Sequence, residues 1–181
     1  MDSDLFAKEM LREINEARTQ PWKYAEKIKN HMKQIVTDDK GNSFYCFQCS
    51  SKISLPRGVK AFEECIEYLN NLFPCSELKL VDELKLPFPS KLPETATSRE
   101  YITSALLEKA TELKDKYKIN WFHYDNNIYD AAVSTVLQLV DDNNSNGERR
   151  RHLMDPLIKH VGISIGHVKN SIHCIYLVFA S

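Results

Sequence analysis

The sequence predicts an α+β fold, with helices flanking a small, mostly antiparallel sheet. Three observations carry that expectation. Apolar residues recur at helical spacing in the stretches beginning at Leu5, Trp22, Val59, Tyr101 and Ile128. The tail changes period: Val161–His167 and Ile172–Phe179 are strand-length apolar segments joined by a short polar turn at about Val168–Ser171. No internal repeat or low-complexity tract suggests a solenoid or a disordered chain.

The first helix is expected over Leu5–Ala17, with Leu5, Phe6, Met10, Leu11 and Ile14 as its stripe. Thr19-Gln-Pro21 breaks it, because proline pushes the preceding residue out of the helical region. Pro21 suits a first helical turn, so a second helix is expected from there to about Val36 on Trp22, Tyr24, Ala25, Ile28, Met32 and Ile35. Asp38–Asn42 reads as a turn and Phe44–Leu55 as an ambiguous, extended stretch ending at Pro56. A third helix is expected over Gly58–Phe73, using Val59, Phe62, Ile66, Leu69 and Leu72 and stopped by Pro74.

Ser76–Pro93 is rich in Leu, Lys and Pro and reads as a surface loop. Thr97-Ser-Arg-Glu100 has capping-box spacing before an amphipathic stretch carrying Tyr101, Ile102, Ala105, Leu106, Ala110 and Leu113. Asn120–Tyr124 is a short aromatic segment, and Ile128–Asp142 a further helix ending in Asp-Asp. A polar loop and a short basic turn, Glu148-Arg-Arg-Arg-His152, then close at Asp155-Pro156. The last strand is apolar at nearly every position, which suits a central strand covered on both faces. Residues 1–75 read as a helical extension packed on the core, 76–96 as a connecting loop and 97–181 as the core, all in one compact domain.

The composition narrows the function classes. Hydrophobic residues at 43% and charged residues at 27% suit a globular protein. A net charge of −1 supplies no field for nucleic acid, and no run reaches the length of a membrane span. The N-terminus is acidic and lacks an apolar core, so no secretory signal is expected. With five cysteines and no such signal, reduced thiols in a cytoplasmic setting are expected.

Cys46-Phe-Gln-Cys49 could join Cys65 and Cys75 around zinc. However, nine residues separate the second pair, against about two to four in a zinc site. A redox role lacks a strand-then-helix frame. The plainer reading is buried small hydrophobes and loop thiols. No Gly-x-Ser-x-Gly and no Gly-rich phosphate loop is present, so neither an enzyme nor a bound cofactor is expected.

Three stretches together resemble the CAP (SCP-like) domain. One is the opening Asn15-x-x-Arg18-x-x-Pro21-x-x-Tyr24-Ala25 run, and a second is Ala61–Leu69 followed by Pro74 and Leu78. The third is the Gly147-Glu-Arg149 turn followed by the Val161-Gly-Ile163 strand. The resemblance implies an α/β/α sandwich with a cleft holding two histidines and two acidic residues, in some members around a divalent metal. Alignment on Asp155-Pro156 places one cleft histidine at Arg149 and the family arginine at Arg150, with His152 three residues beyond. The Asn126-Asn127-Ile128 run stands where a glutamate motif is expected, and the region of the other histidine looks deleted. The resemblance thus makes His123, Asn126, Arg149 and His152 the candidate residues of a degenerate cavity.

His123 stands between aromatics near Asp125 and Asp130, where a packed imidazole is the plainer reading than a ligand. His31 falls on the polar side of the second helix, and His152 and His160 read as surface residues. The Arg149-Arg150-Arg151 run reads as a solvated face or as a contact for an acidic protein surface such as that of tubulin. The resemblance then implies a non-catalytic structural or adaptor subunit of an intracellular assembly, cytoskeletal or ciliary by analogy with small CAP-like proteins of ciliated protists. The alternative is a binding module for a sterol or fatty acid, favoured by an apolar cleft with no charged residue inside. Least expected is a metal-dependent hydrolase using His123 and His152.

Overall fold

A computed structural model describes residues 2–47, 51–86, 98–125, 130–168 and 172–181. The chain is mixed helix and sheet, as the change of period predicts. It falls into two compact units, each drawn from separated stretches of sequence. One comprises Met1–Arg12, Glu77–Ala131 and Pro156–Ser181, and the other Glu13–Ser76 and Ala132–Asp155.

The first unit is built on a four-stranded sheet. Its strands are β4 (Lys79–Leu80), β5 (Ile119–Asp125), β6 (His160–Val168) and β7 (Ile172–Ala180), in spatial order β4-β6-β7-β5. β6 and β7 form the expected antiparallel pair, with Gly162 opposite Val178 and Ile163 opposite Leu177. β5 pairs with the other side of β7, so the apolar last strand is central. Ile175 and Leu177–Ala180 are buried, as a strand covered on both faces requires.

The expected loop at Ser76–Pro93 carries structure in its described part. Lys79–Leu80 adds to β6 in parallel, followed by a 3-10 turn at Asp82–Leu84, while residues 87–93 lie outside the described residues. Leu84 and Leu86 join Leu113, Val178 and Ala180 in one apolar cluster, against which Phe122 and Tyr124 pack. Gly162 permits this approach: a Cβ there would lie 2.4 Å from the carbonyl carbon and oxygen of Leu84. Ser164 Oγ accepts the Leu86 amide at 2.8 Å and satisfies a buried donor. Helix α4 (Ser98–Leu113) supplies Leu113; Thr97 of the expected capping box lies outside the described residues.

The second unit combines helices with a three-stranded sheet, β1 (Ile35–Thr37), β2 (Ser43–Phe47) and β3 (Ser51–Leu55), antiparallel in that order. The sequence is read too far as helix here. Helix α2 (Pro21–Met32) stops short of Val36, because Ile35-Val-Thr37 is a β-branched run that pairs with Ser43–Tyr45. The intervening turn is closed by Asp38, whose Oδ1 accepts the amides of Lys40 and Asn42 at 2.9 and 2.8 Å. Helix α3 (Val59–Asn70) buries Ala61, Phe62, Cys65 and Leu69. Tyr45 is buried beside the Phe62 ring, with centroids 6.3 Å apart.

Three stripe residues are exposed instead: Leu5 on α1 (Ser3–Thr19), Trp22 on α2 and Val59 on α3. Each lies in the first turn of its helix, where the stripe has run past the buried face. Helix α5 (Ala131–Val140) is the reverse case. It is buried almost all round, including Ser134, Thr135 and Gln138. It starts later than Ile128, and residues 126–129 lie outside the described residues.

Candidate functional site

The segment from Val140 to Asp155 holds most of the predicted site residues, and its buried charges are used to finish helices. Glu148–Leu153 is not a turn but a short helix, α6. Its N-cap, Gly147, has φ +58 and carries no side chain that can cap, so four amides at the helix start need acceptors from elsewhere. Asp141 supplies one: its Oδ2 accepts the Arg149 amide at 2.9 Å. Asp141 itself sits at φ +51, a left-handed conformation that Asp tolerates better than most residues.

Asp142 does the same for α3. Its Oδ1 accepts the Arg57 amide at 3.1 Å, just before the Gly58 N-cap, while its Oδ2 is buried with no hydrogen-bond partner among the described residues. Gly58 has φ +57, and a Cβ there would press on Ser43 Oγ at 2.7 Å, so only glycine suits that entry. Burial pushes both carboxyls above the ordinary range, opposed for Asp141 by Arg149 and Arg150 and for Asp142 by the Arg57 and Gly58 amides and the Arg57 charge.

The arginines serve the opposite ends. Arg150 Nη1 donates to the last carbonyls of α5, Leu139 O at 3.1 Å and Val140 O at 3.4 Å. A cation at a helix C-terminus is favoured by the aligned peptide dipoles. The Arg150 guanidinium also lies 5.2 Å from the centre of the Tyr68 ring. Arg18, fully buried, donates from Nε to Ser76 O at 2.8 Å and from Nη1 to Leu153 O at 2.6 Å and Asp155 O at 3.1 Å. It therefore closes the C-terminal end of α6.

The predicted residues separate accordingly. Arg150 is buried, so the run Arg149–Arg151 is not a uniformly solvated face. The reason is helical geometry: three consecutive residues of a helix point about 100° apart, so one of the three is carried inward. Arg149 is half-exposed, with Nε 4.0 Å from Asp141 Oδ1. Arg151 is exposed and donates to Asn146 O. His152 is half-buried, its Nε2 3.8 Å from Glu148 Oε1, and desolvation holds its pKa below the ordinary histidine value.

His123 belongs to the first unit, where it is buried on β5 with its ring edge-on to Phe179 at 5.2 Å. Asn126 lies outside the described residues. His31 and His160 are less solvated than expected. His31 Nδ1 is 2.5 Å from the Tyr45 hydroxyl, and His160 packs edge-on to Tyr117 at 5.2 Å with a buried Nδ1.

Among the described residues, Cys46, Cys65 and Cys75 form no disulfide. Burial pushes Cys65 up to about 11, and Cys75 Sγ lies 3.5 Å from Met154 O. Cys49 lies outside the described residues. Among the described residues, no group of three or more His, Cys, Asp or Glu is placed to hold a metal. No helix there is long and apolar enough to cross a membrane.

The opening motif is also structural. Tyr24 donates its hydroxyl to Glu13 Oε2 at 3.0 Å, Pro21 and Ala25 are buried, and Arg18 makes the contacts given above. Sequence reasoning missed the roles of Arg18, Asp141 and Asp142. The available signal was an Asp-Asp pair at a helix end, followed by a helix start with no capping side chain of its own.

Separately, an open groove of about 490 Å³ runs between α2 and α3, lined by Lys29, Met32, Glu63, Ile66, Glu67 and Asn70 with Asn71 at its end. Searches with this chain against protein-family models, curated proteins and solved structures return no match.

Proposed function

We propose that this chain is a CAP-type domain, an α/β/α sandwich, serving as a non-catalytic structural or adaptor subunit of an intracellular assembly. The setting we favour is cytoskeletal or axonemal. The observation that carries the reading is the division of labour within Arg149-Arg150-Arg151. Arg150 and the neighbouring Asp141 and Asp142 are consumed in closing helices, while Arg151 is exposed and Arg149 half-exposed. Charged groups that complete helix ends are supports for a surface rather than acid–base groups poised at a substrate. Arg149 and Arg151 suit carboxylates of an acidic partner such as tubulin, since arginine engages carboxylates in a bidentate fashion.

The sterol or fatty-acid alternative gains no support from the α2–α3 groove, which is lined by Lys29, Glu63 and Glu67. The test is affinity isolation of the tagged protein from its native cell, with the salt dependence of retention recorded. Retention in an insoluble cytoskeletal fraction is expected, weakened by salt and by the Arg149→Glu/Arg151→Glu double substitution, with thermal melting of the variant checked alongside. Recovery as a soluble monomer carrying lipid or metal would overturn the reading.

A further inference from the structure

The α2–α3 groove has a floor and a rim of different chemistry. Met32 and Ile66, both half-buried, line it with apolar surface. Glu63 and Glu67 stand one helical turn apart on α3, both exposed, and neither carboxylate has an ion-pair or hydrogen-bond partner among the described residues. Like charges at this spacing repel and destabilise a helix unless something compensates them.

The lysine that lines the groove, Lys29, does not pair with either. Lys29 Nζ is bound by Glu26 of its own helix, so its charge is drawn away along α2. Glu64, between the two, is held by Arg57, which lowers its pKa. The groove therefore combines an apolar floor with two carboxylates that have no ion pair among the described residues.

We infer that this groove docks a basic amphipathic segment of a partner protein, seating an aliphatic side chain on Met32 and Ile66 and a lysine or arginine between Glu63 and Glu67. Such a segment matches both features at once: its apolar face covers the floor, and its cation offsets the repulsion on the rim. A fatty acid or sterol would cover the floor but leave the carboxylates unpaired, and a fatty acid's own carboxylate would add to the repulsion. The groove takes a partner opposite in charge to the one proposed for the Arg149–Arg151 run.

The test uses a fluorescent leucine–lysine peptide of about fifteen residues, long enough to form a helix. Binding to the full chain is followed by anisotropy, and the contact is located by NMR of the Met32 and Ile66 methyl groups. Saturable binding that shifts both methyls is expected. Glu63→Gln/Glu67→Gln should weaken it by about tenfold or more, since two charge-assisted contacts are removed.

Glu9→Gln/Glu108→Gln removes the same charge from exposed positions off the groove and should leave the affinity within about twofold. Any of four results would overturn the inference: no binding, equal loss in both double variants, equal affinity for a leucine–glutamate peptide, or methyl shifts with oleate but not with the lysine peptide. Shifts that follow protein concentration without peptide would assign the groove to a second copy of this chain and would also defeat it.

Discussion

Replacing Arg150 by Met should destabilise the protein by about 3 kcal/mol, whereas replacing Arg151 by Met should cost less than about 0.5 kcal/mol. The difference follows from what each guanidinium touches. Arg150 donates to Leu139 O at 3.1 Å in a buried setting; a hydrogen bond from a charged donor contributes about 1.5–3 kcal/mol. The longer 3.4 Å contact to Val140 O adds little. Its position 5.2 Å from the half-buried Tyr68 ring adds about 1 kcal/mol of cation–π attraction.

Methionine keeps much of the apolar stem, and removing a buried charge returns part of its desolvation cost, so the sum is held near 3 rather than above it. With a urea slope of about 2 kcal/mol/M, the unfolding midpoint should fall by about 1.5 M. The melting temperature should fall by about 6–12 °C. Both follow from circular dichroism of the two variants beside the wild type. A double-mutant cycle with Tyr68→Leu should recover about 1 kcal/mol of coupling. Equal destabilisation by the two substitutions would refute the assignment of Arg150 to the end of α5. It would return all three arginines to the surface.

The remaining predictions test the other buried groups. Asp142→Ala should cost about 2 kcal/mol by urea unfolding, because the Arg57 amide loses its acceptor. Asp142→Asn keeps an acceptor and should cost under about 1 kcal/mol. Because the folded-state pKa of Asp142 is raised, the folded form binds more protons between the ordinary 3.8 and the raised value. Its contribution to stability therefore falls as pH rises through that window, and Asp142→Asn should flatten that part of a stability–pH profile; a steeper profile would contradict the burial argument.

Cys65, pushed up from 9.0 to about 11, should form thiolate about a hundredfold less readily than an ordinary thiol. Mass spectrometry after brief labelling with Ellman's reagent should find it modified only once the protein unfolds. Gly162→Ala should cost about 3 kcal/mol by thermal or urea unfolding, since its Cβ would meet Leu84 backbone at 2.4 Å. Gly41→Ala has open space around it and only an unfavourable φ of +84, so about 1 kcal/mol is expected in the same assay.

The legible parts of this sequence were those governed by one local rule. The apolar last strand announced a covered, central position, and β7 has neighbours on both sides. Pro21 marked the start of α2, and the Val161–Phe179 change of period marked the hairpin. The illegible parts depend on distant residues. Whether Ile35-Val-Thr37 extends α2 or forms a strand is decided by Ser43–Tyr45 across the turn.

Glu148–Leu153 needs acceptors and donors that it does not carry. Its amide partner is Asp141, and its last carbonyl is held by Arg18, far away in sequence. The inward turn of Arg150 was hidden for the same reason, because a charge run reads as solvated until the carbonyls it serves are located. His123 lies on β5 with its ring edge-on to Phe179.

The discontinuous second unit has a consequence for synthesis. Its early portion, Glu13–Ser76, lacks the Asp142 acceptor at the start of α3 and the Leu153 and Asp155 carbonyls for Arg18 until the ribosome has made residues 132–155. Closing contacts over such separations carries an entropic cost that grows with the logarithm of loop length and slows folding. A nascent chain halted before Asp142 would therefore hold the end of α1 and the start of α3 without their final supports. Ribosome-bound chains arrested on either side of Asp155 should differ sharply in protease resistance across Pro21–Asn70, a delay that gives chaperones a defined interval in which to act.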